Sequence, residues 1–109
     1  MKRIEAIVRQ HRLSEVKLAL ASVPHCGLTA CDVKEEDAEG FTLRYRSNNL
    51  RFDMAARTSV RVLVEDADVH AAVDAILRAA DTGHAGDGTI VVVPVEEVFQ
   101  ISHAAAAVA

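Results

Sequence analysis

Apolar and polar positions alternate from the start of the chain. Ile4, Ala6 and Val8 stand against Glu5, Ile7 and Arg9, and a period of two predicts a strand over residues 3–9. Val16, Ala19, Leu20 and Val23 then recur at helical spacing, with Ser14 as the expected N-cap and Glu15 in the favourable first turn. Pro24 and Gly27 are expected to end that helix. Residues 28–34 resume a strand. The order then repeats. Residues 59–64 alternate as a strand, Asp66 or Asp68 is placed to cap a helix, and Val69, Ala72, Val73, Ile76, Leu77 and Ala80 form one apolar stripe. A glycine-rich stretch, 82–88, predicts a loop. Ile90 to Val93 is an apolar strand, and Val98 to Ile101, beyond Pro94, predicts a further short one.

Two such halves predict an α+β fold, a ferredoxin-like βαββαβ sandwich with an antiparallel sheet and both helices on one face. Ile7, Leu63 and Val92 are expected on the other face. A small domain with an uncovered apolar face usually oligomerises. The segment between the halves, 35–57, breaks the pattern. It opens with Glu35, Glu36, Asp37 and Glu39, bends at Gly40, and returns through Arg44, Arg46, Arg51 and Arg57. A segment this long without core periodicity is expected to be functional or disordered. Alternation over 41–46 leaves room for a projecting hairpin. The charges read either as a solvated run or as a partner-docking arm with Arg44, Tyr45, Arg46 and Arg51 as contacts. The alanine-rich tail, 104–109, carries no chemistry, so residues 1–103 make the domain.

Composition narrows the function. A chain of 109 residues has room for one core. Half the residues are hydrophobic but only 4% are aromatic, which predicts an aliphatic core. Sixteen acidic against twelve basic residues, a net charge of −4, argue against a nucleic-acid partner. No apolar run approaches the roughly 20 residues of a membrane span, and the opening pattern is not that of a signal peptide. A cytoplasmic protein is expected. Cys26 and Cys31 are too few for a disulfide scaffold, and with His25 they fall short of the ligand set of a zinc site, so no metal is expected. His11, His70 and His103 are isolated; His84 lies in the glycine-rich loop, where its protonated ring would meet a phosphate. No nucleophile–base pair or carboxylate dyad is set up by spacing, which argues against an enzyme. Gly83, Gly86 and Gly88 read either as a turn between helix and strand or as a cradle offering backbone N–H groups to a phosphate.

Several stretches together resemble the PII signal-transduction proteins. The opening 2–9 is similar to that family's first strand, and 13–20, with Glu15-Val16-Lys17, to its first helix. Gly27-Leu28-Thr29 and Asp32-Val33-Lys34 are similar to its next strand and the entry to its T-loop, within which Thr42, Tyr45 and Arg46 match. Most specific is Thr82-Gly83-His84-Ala85-Gly86-Asp87-Gly88-Thr89-Ile90, which resembles the B-loop, here 82–89; Pro94-Val95-Glu96-Glu97-Val98 continues the likeness. The resemblance covers 2–103. It implies a homotrimer that binds nucleotides in clefts between subunits and docks on a transporter or enzyme through the T-loop, 35–57. It implies regulation by binding.

The departures alter the expected ligand. Ala38 stands where the family has a glutamine that helps hold Mg-ATP and 2-oxoglutarate. Thr89 replaces a phosphate-reaching lysine, and Gln100 and Ser102 replace two arginines. Leu50 stands where many members have a modified tyrosine. The resemblance thus implies a nucleotide site of Thr29, Gly86, Asp87, Gly88, Thr89, Gln100 and Ser102, with Asp87 meeting a ribose or buttressing the loop. Fewer cations favour AMP or ADP over Mg-ATP. The alternative is a PII-fold interaction or scaffold trimer that has lost nucleotide sensing.

Overall fold

The order of elements is β1 (Lys2–Val8), α1 (Leu13–Leu20), β2 (Cys26–Tyr45), β3 (Asn48–Val64), α2 (Val69–Ala80) and β4 (Gly88–Pro94). The structure, a computed structural model, describes residues 1–101 and, for 37–41 and 52, the backbone alone. The strands form one antiparallel sheet in the order β2-β3-β1-β4. This is the expected ferredoxin-like arrangement.

Register explains the core. Ile4 lies opposite Val62 and Ala6 opposite Val60, so their side chains share one face. There they bury against Val16 and Leu20 of α1 and Ala72 and Ile76 of α2. Among the described residues the buried hydrophobic side chains are aliphatic, as the scarcity of aromatics predicts. Each fully buried Ile, Leu or Val contributes about 1.5–3 kcal/mol.

Both helices begin differently from expectation. Ser14, Asp66 and Asp68 make no side-chain cap. A single turn of 3-10 helix precedes each helix, over Gln10–Arg12 and Asp66–Asp68. There Arg12 N donates to the Arg9 carbonyl and Asp68 N to the Glu65 carbonyl, each at 2.9 Å, so the backbone supplies the partners a cap would. α1 also ends earlier than Pro24 requires, at Leu20, because Ala21 N and Val23 N turn back onto the carbonyls of Leu18 and Leu20.

Three further expectations change. Val92 lies opposite Ile4, which puts it on the helix face; Val91, opposite Glu5, takes the open face with Ile7 and Leu63. Val98 to Ile101 forms no strand. Among the described residues they have no ladder partner, and Phe99 is 83% exposed. Segment 35–57 is strand along nearly its whole length. β2 and β3 pair from Cys26↔Leu63 out to Tyr45↔Asn48, with a register shift between Glu36 and Phe41. Cross-strand pairing supplies order that core periodicity does not. The hairpin draws the molecule out to 58 × 28 × 22 Å.

Candidate functional site

The glycine-rich loop joins α2 to β4, and its shape is set from below. The turn after β1 carries two arginines. Arg12 Nε donates to the Ala79 carbonyl at 2.7 Å, satisfying a carbonyl in the last turn of α2. Arg9 reaches the loop: its Nε lies 2.8 Å from Asp87 Oδ1, and its Nη2 donates to the Ala85 carbonyl at 3.2 Å. Asp87 also accepts the Thr82 backbone N–H at 2.7 Å and the Thr82 hydroxyl. The Thr82 hydroxyl, the Arg9 guanidinium and the Thr82 amide hold the Asp87 carboxyl far below the usual carboxylate range. Asp87 therefore buttresses the loop, one of the two roles its position suggests.

Upstream, Asp81 Oδ1 accepts the Gly83 N–H at 2.8 Å. His84 folds back, with Nδ1 3.1 Å from the Thr82 carbonyl oxygen. His84, Ala85 and Gly86 are left exposed at the loop's outer side. Gly86 has φ +83° and Gly88 φ +135°, both in the region that favours glycine. Beside the loop, between α2 and β4, lies a cleft of about 450 Å³ walled by Ile76, Leu77, Ile90 and Val92, with Asp87 and Gly88 at one end.

The other expected site residues lie elsewhere. Thr89 is opposite Ile7, and Thr29 opposite Arg61. Both are exposed, but they occupy the two outer strands, with β1 and β3 between them. Three strand spacings separate them, about 14 Å. One chain does not bring them together. Gln100 is exposed in the irregular stretch after β4. Ser102 and the 104–109 tail lie outside the described residues, as does the Ala38 side chain.

At the hairpin tip, pairing sorts the side chains by face. Leu43 lies opposite Leu50, with Tyr45 one step along the same face; Thr42, Arg44 and Arg51 take the other. Arg46 sits in the turn, its guanidinium 5.3 Å from the Tyr45 ring centroid. Residues 42–51 hold three arginines and no acid. At the hairpin base, Arg57 Nη1 donates to the Ala56 carbonyl at 2.9 Å, and its Nε is 3.9 Å from Glu35. Among the described residues no group of His, Cys, Asp and Glu could hold a metal ion, and no helix is long and apolar enough to cross a membrane.

Arg9 and Arg12 escape sequence reasoning. Arg9 follows a strand with its partner 78 positions away, and no local pattern marks such a pair.

The family model described as Nitrogen regulatory protein P-II matches residues 1–104. This chain belongs to the P-II family. Nitrogen regulatory protein P-II of Azospirillum brasilense is 42% identical over 102 residues, spanning 93% of this chain and 91% of that protein. The protein of the same name from Microchaete diplosiphon is 40% identical over the same spans. Nitrogen regulatory protein P-II 2 of Methanothermobacter thermautotrophicus is 38% identical, over 93% of this chain and 89% of its own length. Membership gives the chain a regulatory, signal-transducing role of the P-II type.

Proposed function

We propose that this P-II protein works in the cytoplasm as a homotrimer, takes an adenine nucleotide or another small anionic effector between subunits, and regulates a transporter or metabolic enzyme through the β2–β3 hairpin. The observation that carries this reading is the division of the site between two sheet edges. The braced 82–88 loop and Thr89 stand on the β4 side, and Thr29 on the β2 side. A cleft using both needs the β4 edge of one copy against the β2 edge of another. The open-face residues Ile7, Leu63 and Val91 supply apolar area for such packing.

The ligand follows from charge. Thr89, Gln100 and Ser102 offer neutral groups where the family offers cations, and Arg9 is already matched by Asp87. Neutral hydrogen bonds contribute about half as much as charge-assisted ones, and three such downgrades weaken a polyphosphate by roughly a hundredfold. AMP loses less. Titration calorimetry with AMP, ADP, ATP and cyclic nucleotides tests this: AMP or ADP should bind at least as tightly as ATP. ATP binding much tighter than AMP overturns the charge argument.

The same neutral residues favour a second reading, a trimeric interaction module without nucleotide sensing. Its signature is no heat with any nucleotide while the hairpin still engages a partner. The two-faced tip, apolar through Leu43, Tyr45 and Leu50 and basic through Arg44 and Arg51, suits such docking under either reading.

A further inference from the structure

We infer that Arg9 is a positioning residue, which holds the 82–88 loop in its ligand-ready shape through Asp87 and Ala85 and does not itself meet the ligand. The inference rests on the reading of this loop as the effector site, although its first test needs no ligand.

Three observations support it. Arg9 is engaged twice on the loop's inner side, with Nε 2.8 Å from Asp87 Oδ1 and Nη2 3.2 Å from the Ala85 carbonyl. These contacts use the guanidinium as a fork, one arm on a carboxylate and one on a backbone oxygen, a geometry a lysine ammonium cannot reproduce. Second, Arg9 is the side-chain tie between the loop and the end of β1. The side-chain hydrogen bonds of Asp81, Thr82 and His84 stay inside the 81–87 segment, while the Asp81 N–H ties its start to the Leu77 carbonyl of α2. Among the described residues, the side-chain bonds that enter this segment from outside are Arg9's. Third, the charge is matched: the side chains of Arg9 and Asp87 are 26% and 20% exposed and paired with each other. A cation so paired offers little field to an anion beyond it. Its contribution is to fix where the exposed His84–Gly86 backbone stands.

Anchoring by Arg9 has a chain of consequences. Asp87 spends its lone pairs on Arg9 and Thr82, which sets the turn that presents Gly86. Without Arg9 the Asp87 carboxylate rests on Thr82 alone, so the Asp87–Thr82 contacts open more often, while the Gly88 end of the loop stays paired with Val8 of β1. The loss is therefore local to the loop.

Hydrogen exchange on the intact protein tests this, comparing Arg9→Gln and Arg9→Lys with the native chain. Arg9→Gln should speed exchange of the Thr82 and Gly83 amides by roughly tenfold or more, with β1 and β3 amides and the melting temperature nearly unchanged. Arg9→Lys should fall between, since it keeps the charge and loses the fork. Unchanged loop exchange in both variants overturns the inference. A general rise across the sheet also overturns it, because Arg9 would then be an ordinary stability residue. A second arm uses AMP as probe: Arg9→Gln should weaken AMP by about tenfold while leaving the salt dependence of Kd as it was. A shallower salt dependence means Arg9 meets the anion directly, and the positioning role fails. Faster loop exchange with no AMP binding to the native chain supports the positioning role and sinks the effector reading alone.

Discussion

A methyl group on Gly88 would lie 1.8 Å from the carbonyl oxygen of Ile7. The loop enters β4 pressed against the β1 backbone, at φ +135°. Gly83 is the contrast, with φ +80° and open space around its missing side chain. Gly88→Ala must shift backbone and should cost on the order of 3 kcal/mol, lowering the melting point by roughly 10–20 °C. Gly83→Ala carries only the left-handed penalty, about 1 kcal/mol. Thermal melts of the two variants check the ranking.

The hairpin turns on two non-glycine residues with positive φ, Arg46 at 48° and Ser47 at 71°. Both central positions of a two-residue turn of this hand favour Asn-Gly. Ser47→Gly should relieve about 1 kcal/mol of backbone strain at the tip. Slower exchange of the Tyr45 and Asn48 amides reads the gain, and faster exchange refutes it.

Acid should loosen the 82–88 loop. The folded pKa of Asp87 is depressed by Thr82 and Arg9, so its stabilising contribution is present above the unfolded carboxylate value of about 4. That contribution is lost as pH falls through the depressed value. Asp87→Asn removes the titrating group, so it should flatten the decline in stability below about pH 4 expected of the native chain. Denaturant midpoints from pH 7 down to pH 2 measure the difference.

Assembly is tested at the sheet edge. Light scattering at micromolar concentration should return three chains of 11.7 kDa. Val91→Lys puts a charge on the outer strand and should shift that mass toward one chain. A native protein that runs as a stable monomer removes the shared cleft.

What the sequence makes legible follows from where each residue's constraint lies. The α2 stripe of Val69, Ala72, Val73, Ile76 and Ala80 is visible because helix period and core face coincide, and Ile4, Ala6 and Val8 for the same reason in a strand. Val92 is placed on the wrong face from sequence because Ile90 to Val93 is apolar throughout, and only the register with Ile4 decides its side. The hairpin is underestimated because its order comes from pairing β2 with β3 and not from burial. At the site, the glycines of 83–88 are conspicuous, but the group that fixes them is not. Arg9 looks like any charged residue at a strand end until folding carries it to Asp87.

The register shift between Glu36 and Phe41 divides the hairpin into a base continuous with the sheet and an outer arm. Five residues of extended chain from Phe41 to Tyr45 reach about 17 Å, so a tilt of about 10° at that break would sweep the tip through about 3 Å. A displacement of that size is a full hydrogen-bond length. It would carry Arg44 and Tyr45 from one docking register to another while the pairs beneath the break stay closed. A fulcrum at the break would magnify a small change near Glu35 and Arg57 along the arm.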